Sequence, residues 1–561
     1  MSDDIQFNTY YRYDDLTRFL QQWAEQYPTL CSLESIGKSY EGRDIWCLTV
    51  TNADTGPALE KPAYYVDANI HATELAPSAA ALYLANRLLT QYGEDEKVTY
   101  ALDSRAFYIV PRVNPDGAEW ALADTPRYVR SSTRPYPRAD QLDGLVDEDI
   151  DGDGRILQMR LKDPNGAWKA HPDDPRLMIL READDLPGGD YYRLLSEGKI
   201  RNYDGVLIEI APDLQGLDLN RQFPVNWQQD ESGAGPYPGS EPETRALLQF
   251  VIDHPNITGA TTYHTYSGVH LRPLTLASDD EMNTQDLFTY KSLGQKAEDL
   301  TGYPAVSVFH DFKYDPKKFI KGTFDDWLYE NWGIYAWTTE IWSLQRQAGL
   351  KDYKYIDWFR THPPEDDLKI LQWADEHIGE DAYVEWYRFD HPQLGEVELG
   401  GWHFFLTWRN PPYQHLEKEI APLSDFTLYH CLASPKLEVY QLDVNSIGDV
   451  HSIRLVLQNT GWLPTQVSEQ ATKMKVVREL EVDIELPDGA RLLTGKKKSM
   501  VGQLKGRDHI WIAPFGGGGG TDERVKLEWV VQAPAGSEVK IAAVHQRAGA
   551  VRQTVTLGSD D

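Results

Sequence analysis

Cysteine is almost missing: Cys31, Cys47 and Cys431 are the three in 561 residues. A sparse, odd set with no C-x-x-C pair argues against a disulfide framework and fits a reducing compartment. Basic residues are scarce beside acidic ones, 55 against 87, for a formal net charge of −32. Such a field repels polyanions, so neither nucleic acid nor an anionic membrane surface is expected as a partner; cations, metal ions and basic peptides are drawn in. No run of about 18 apolar residues occurs, so no membrane-spanning helix is read. The opening MSDDIQFNTYYRYDDLTRFL has neither a basic n-region nor an apolar core. No secretory signal is read there, and a cytoplasmic location is expected, or a secreted one for a chain whose leader had been removed.

What is present is an ordinary globular composition, 41% hydrophobic and 25% charged. The length implies several domains, or one large catalytic domain with appendages. Leu16, Phe19, Leu20, Trp23 and Tyr27 recur at helical spacing, with Asp14 and Asp15 at the start and Pro28 as the stop. Strand-like apolar runs follow at residues 45–50, 63–70 and 107–110, and a helix is expected from Pro77 to about Gly93. The alternation continues to about Trp373 and predicts an α/β domain with a mixed central sheet flanked by helices, over residues 1–380. An Asp-, Gly- and Pro-rich stretch at about 135–216 reads as an insertion. Residues 381–561 are expected as a β-rich accessory domain. Two-residue alternation at Ile453, Leu455 and Leu457, at Val525, Leu527, Trp529 and Val531, and again at Val551, Val555 and Leu557 predicts a β-sandwich there. The glycine run Gly516–Gly520 reads as a loop, because no helix or Lys-Ser/Thr follows it to cradle phosphate.

Candidate chemistry begins at His71-Ala72-Thr73-Glu74, directly after an apolar strand. A strand end is a rigid place from which to aim ligands, and an imidazole and a carboxylate three residues apart can bend onto one cation. Alone, H-x-x-E is a weak signal. Four further strings follow in order: Asn114-Pro115-Asp116-Gly117, Asp218-Leu219-Asn220-Arg221, Tyr263-His264-Thr265-Tyr266-Ser267 and Thr338-Thr339-Glu340.

This ordered set resembles the zinc metallocarboxypeptidase family, the group that contains pancreatic carboxypeptidases A and B, over roughly residues 30–345. Ser39-Tyr40-Glu41-Gly42-Arg43 is similar to the family's entry segment. The resemblance implies a Zn²⁺ enzyme that removes the last residue from a peptide with a free C-terminus. It makes His71, Glu74 and His264 the zinc ligands and Glu340 the catalytic carboxylate. The chemistry needs such a group: a carboxylate beside the metal must accept a proton and return it to the leaving amine, and an apolar setting between Trp337 and Trp342 suits that exchange. Arg130 is similar to the cation that stabilises the oxyanion, with Arg127 and Arg134 as rivals. Asn220 and Arg221 resemble the pair that grips the terminal carboxylate, for which a planar guanidinium is suited.

Asp325, two residues before Trp327, falls where the carboxypeptidase B type carries its pocket-floor Asp and implies a preference for Lys or Arg at the chain end. Two positions depart from the family pattern. Its mobile Tyr is replaced by Lys318, for which Tyr314 is the expected substitute, and its Arg inside the first ligand motif is Thr73. Within the insertion, Asp149, Asp151 and Asp153 with Gly154 and Ile156 match the first half of a Ca²⁺ loop, although Arg160 stands where the loop's Glu belongs. Competing expectations are a zinc amidase acting on cell-wall or γ-glutamyl peptides, and a non-catalytic peptide- or glycan-binding protein.

Overall fold

The computed structural model describes residues 5–313, 317–351, 353–508 and 520–558. Its centre is an eight-stranded mixed sheet. The strands are β1 (Cys31–Lys38), β2 (Asp44–Val50), β3 (Ala63–Ala68), β4 (Ala106–Val110), β5 (Ile257–Thr265), β6 (Val269–Arg272), β7 (Ala305–Ser307) and β8 (Tyr335–Ile341). They lie in the order β1-β2-β4-β3-β5-β8-β6-β7. The middle strands β4, β3, β5 and β8 run parallel; β1 pairs antiparallel with β2 and β2 with β4, and β6 pairs antiparallel with β8 but parallel with β7. Parallel strands need cover on both faces, and β3 is buried along its whole length. Tyr64, Val66 and Ala68 face the helices Tyr13–Gln26, Ala76–Thr90 and Tyr413–Ala433. Ala63 and Tyr65 face Pro242–Asp253 and Phe324–Trp332. The mixed sheet between helices is the architecture expected from the alternating pattern.

The insertion is more ordered than its composition suggests. Strands Gln158–Lys162, Trp168–Ala170, Met178–Leu180 and Tyr192–Ser196 join a six-stranded sheet completed by Tyr383–His391 and Gly395–Trp402. Leu399 and Val397 pack on Met159 there. The 21-residue helix Tyr413–Ala433 then returns to the main sheet, where Leu416, Ile420, Leu423 and Leu428 share a core with Leu82 and Leu88. Residues 383–433 thus pack with the insertion's sheet and the main sheet, and the change in sequence character near 380 coincides with a hairpin that closes the insertion's sheet.

The accessory sandwich starts at Leu437. One sheet holds Leu437–Ile447, Val450–Asn459, Arg524–Gln532 and Arg491–Thr494; the other holds Lys498–Met500, Glu481–Glu485, Glu538–His545 and Gly549–Thr556. Ile453, Leu455, Leu457, Leu527, Trp529 and Val531 fill its core at alternate positions, as the period-two pattern predicts. Apart from Gly520, the glycine run lies outside the described residues. Among the described residues, no helix is long and apolar enough to cross a membrane.

Two buried charges join the sandwich to the body built on the main sheet. Asp286 accepts from the hydroxyls of Tyr329 (2.9 Å) and Tyr335 (3.0 Å) and from the N–H groups of Glu469 (2.8 Å) and Gln470 (3.0 Å). Arg547 donates to the carbonyls of Trp332 and Gly333. Removing Asp286 leaves buried donors without an acceptor. Asp286→Ala is expected to cost about 2–4 kcal/mol in urea unfolding, and Asp286→Asn less.

Candidate metal centre and substrate cleft

Three parallel strands end on one side of the sheet and carry the candidate groups there, in the crevice beyond their carboxyl ends. β3 runs out into Asn69, Ile70 and His71, β5 ends at His264 and Thr265, and β8 ends at Glu340 and Ile341. Register sets the spacing, since His264 pairs directly with Glu340 across β5 and β8. The turn after β3 is held from inside. Asn69, at φ +60°, donates its side-chain amide to the carbonyls of His71 (2.8 Å) and Glu74 (2.7 Å). Gly117 has no room for a side chain: a Cβ there would lie 2.5 Å from the Ala72 Cβ and 2.9 Å from the Ser131 carbonyl. That close approach explains the glycine of N-P-D-G. Asp116 of the same motif accepts from Ser39, Arg43 and the Glu41 N–H, which ties down the entry segment.

His71, Glu74 and His264 converge, with ligand atoms all within 4.8 Å of one another. His71 Nδ1 lies 2.9 Å from Glu74 Oε1, His264 Nδ1 lies 3.2 Å from Glu74 Oε2, and the two Nδ1 atoms are 3.1 Å apart. The outward nitrogens are anchored: His71 Nε2 on Asp218 Oδ1 (3.2 Å) and His264 Nε2 on the Thr262 hydroxyl (2.9 Å). Both nitrogens of His71 face a carboxylate, and with its proton on Nε2 toward Asp218 the Nδ1 lone pair turns inward, the tautomer that a cation at Nδ1 requires. Inward lone pairs facing a carboxylate form a cluster of acceptors that a cation satisfies, and a two-His, one-Glu set suits Zn²⁺.

Burial alone would raise the Glu74 carboxyl, but His71 and His264 outweigh it and hold it well below its usual range. Burial lowers His264 against the pull of Glu74. Burial would likewise raise Asp218, yet Arg130, Arg221 and His71 bring it far down. Arg130 reaches both acids, with Nε 3.1 Å from Asp218 and Nη1 3.4 Å from Glu74. Glu340 behaves oppositely. Burial, then the nearby Glu74 charge, push it well above the usual carboxyl range against Arg130 and Arg409. Its Oε2 is buried with no hydrogen-bond partner among the described residues.

A single cavity is lined by His71, Arg130, Asn220, Arg221, His264, Asp325 and Glu340, with Leu271, Val308, Phe312 and Ile320 as apolar walls. Asn220 spends its Oδ1 on the Phe324 N–H (2.9 Å), which leaves the amide nitrogen as the donor end. Arg221 is steadied by the Asn220 carbonyl (2.7 Å). Asp325 sits in the first turn of helix Phe324–Trp332. Burial pushes its neighbours Asp67 and Asp326 well upward, and the Asp325 charge adds to both. The rivals of Arg130 are engaged elsewhere: Arg127 stacks on Trp120 (3.8 Å) and Arg134 makes a forked pair with Glu241. Tyr314 lies outside the described residues.

The acidic loop of the insertion gathers differently from the expected triad. Asp149 and Asp151 meet Glu197, with ligand atoms within 4.8 Å, whereas Asp153 turns to Arg155. Asp149 accepts from the N–H groups of Gly152 and Gly154, and Glu197 from those of Ile150 and Leu157. The loop's own backbone thus uses these carboxylates. Sequence reading also gave no role to Asp218, Thr262 or Arg409. Thr262 was accessible, since it stands two residues before His264 on one strand face. Arg409 lies far from every motif and was not.

Comparison with known proteins bears on this geometry. Residues 16–359 match a family model described as zinc carboxypeptidase, and residues 436–556 match one described only as a domain of unknown function. Carboxypeptidase B of Astacus astacus is 25% identical over 347 residues, covering 60% of this chain and 88% of its own. Carboxypeptidase A1 of Rattus norvegicus is 22% identical over 358 residues, covering 63% of this chain and 66% of its own. Among solved structures, carboxypeptidase A from Helicoverpa armigera aligns with a TM-score of 0.41 at 16% identity, over 67% of this chain and 76% of that one. Asp218→Asn, which alters the anchor of His71, is expected to weaken metal affinity about 10–100-fold in a chelator-competition titration.

Proposed function

This chain belongs to the zinc carboxypeptidase family, and on that premise we propose that it hydrolyses the C-terminal bond of peptides, with Glu340 as general base and a preference for Lys or Arg at the chain end. The observation that carries the reading is the shared cavity in which His71, Glu340, Asn220, Arg221 and Asp325 face one space. A carboxylate-binding arginine close to the metal centre admits a free chain end and turns away the middle of a chain.

His71, Glu74 and His264 are the residues that hold zinc. When bound, zinc supplies a Lewis acid that acidifies water and polarises the scissile carbonyl. Glu340 takes the proton of the attacking water and passes it to the leaving amine nitrogen. Its raised affinity for protons suits both halves of that exchange. Arg130, with 40% of its side chain exposed toward the cleft, faces the charge that develops on the carbonyl oxygen. Arg221 and the Asn220 amide hold the substrate's terminal carboxylate. The apolar walls Leu271, Val308 and Ile320 cover the aliphatic stem of a Lys or Arg side chain, and Asp325 meets its charged tip.

The test is release of the last residue from peptides ending in Lys, Arg, Leu, Phe or Glu, followed by mass spectrometry on the zinc-loaded protein. Loss of one terminal Lys or Arg is expected. Internal cuts would contradict an exopeptidase, and action on γ-glutamyl or cell-wall peptides alone would replace the substrate class. Glu340→Gln should lower kcat by about 10²–10⁴-fold while zinc content stays the same. Asp325→Leu should reverse the preference toward apolar chain ends, at a loss of about tenfold or more on Lys. The base must be ionised, so activity is lost as pH falls through the Glu340 pKa. Burial raises that pKa, and zinc held beside Glu74 opposes the rise, so metal loading should move the acid limb of kcat/KM to lower pH.

A further inference from the structure

The metal centre opens upward into a cavity of about 520 Å³, lined by Glu74, Arg130, Tyr266, Glu340 and Arg409. Arg409 also lines a second cavity of about 330 Å³, together with Tyr128, Leu157, Trp402, Phe404 and Phe405. The deep pocket that holds Asp325 shares Arg130, Arg221 and Glu340 with the opening. The spaces therefore form one series: the Asp325 pocket, the metal centre, Arg409, then the aromatic cavity.

Arg409 lies outside residues 16–359, the part of the chain that matches the family. Its position is nonetheless built in. The next residue, Asn410, accepts from the N–H groups of Leu75 (2.7 Å) and Ala76 (3.1 Å) and donates to the Thr73 carbonyl (2.8 Å). Those contacts fasten the segment to the turn that carries Glu74. The guanidinium stands 3.6 Å from Glu74 Oε1, with a quarter of the side chain exposed, and lies over the Tyr266 ring at 5.1 Å. No hydrogen bond from it to a described residue competes for its five donors.

We propose that Arg409 and the aromatic cavity bind the part of the substrate upstream of the cleaved bond, an inference that rests on the carboxypeptidase reading. Once the terminal residue fills the Asp325 pocket, the preceding chain leaves past Arg409. An extended chain advances about 3.5 Å per residue, so the next carbonyl beyond the scissile one comes within reach of a guanidinium beside a metal ligand. That carbonyl belongs to the third residue from the end, and the side chain of this residue enters the cavity of Tyr128, Leu157, Trp402, Phe404 and Phe405. The substrate class is then an oligopeptide of three or more residues with an aromatic or large aliphatic residue third from its C-terminus.

The experiment compares acetyl-Phe-Ala-X with acetyl-Gly-Ala-X and with the free dipeptide Ala-X, X being Lys or Leu, on the zinc-loaded full chain. Zinc content is measured for every variant. The Phe peptide should be cleaved with a kcat/KM about tenfold or more above the Gly peptide. Arg409→Ala should lower kcat/KM on both acetylated peptides by about 10–100-fold and shrink their advantage over Ala-X; Arg409→Lys should recover part of it. Phe404→Ala, at a half-exposed position, should erase most of the Phe-over-Gly preference. Equal rates on the Phe and Gly peptides, or an Arg409→Ala variant whose preference for acetylated peptides is intact, would overturn this subsite. Failure of every peptide to release X would instead overturn the carboxypeptidase reading and this inference with it.

Discussion

The Asp218 carboxylate joins the two halves of the candidate site. One oxygen fixes the outward nitrogen of His71 and the other holds Arg130. Around it, the buried acids Glu74 and Asp218 and the half-buried Glu340 lie with Arg130, Arg221 and Arg409 around one cavity. Burying that much charge is unfavourable unless each group is paired, and here the pairing is unequal by position. Glu74 and Asp218 receive the cations and stay ionised, while Glu340 is left with burial and a like charge beside it. Neighbouring carboxyls are thereby pushed apart in their affinity for protons.

This balance depends on parts of the chain that are distant in sequence. Arg409 and Asn410 follow the hairpin that completes the insertion's sheet and precede the long helix against β3. The insertion and the segment after residue 380 thus line one cavity together, and the segment packs on the main sheet through the helix Tyr413–Ala433. The sandwich is held by an apolar seam, in which Leu463 and Val467 pack with Tyr290, Leu293 and Tyr335, and by Asp286 and Arg547, buried charges that saturate themselves on backbone and hydroxyl groups. Such anchors are directional, so they set the orientation of the accessory domain.

The periodic elements were legible because they obey local rules. β3 and β4 are apolar runs, the first helix repeats at 3.6, and the sandwich strands alternate. The ligand motifs were legible because each is contiguous: His71 to Glu74 is one turn, and His264 and Glu340 each end a strand. The edges of the catalytic body were not. The hairpin at Tyr383–Trp402 has one mixed, half-exposed face, so its pattern resembles neither a core strand nor a loop.

By itself the sequence determined which residues can act as ligands, base and carboxylate grip, since these follow from side-chain chemistry at short spacing. Only the tertiary structure decided which arginine among Arg127, Arg130 and Arg134 reaches Glu74 and Asp218, that Asp149 meets Glu197 rather than Asp153, and that Arg409 stands beside Glu74. These choices depend on contacts between segments separated by tens to hundreds of residues. Such contacts are set by sheet register and by the packing of the insertion, and no local pattern encodes either one.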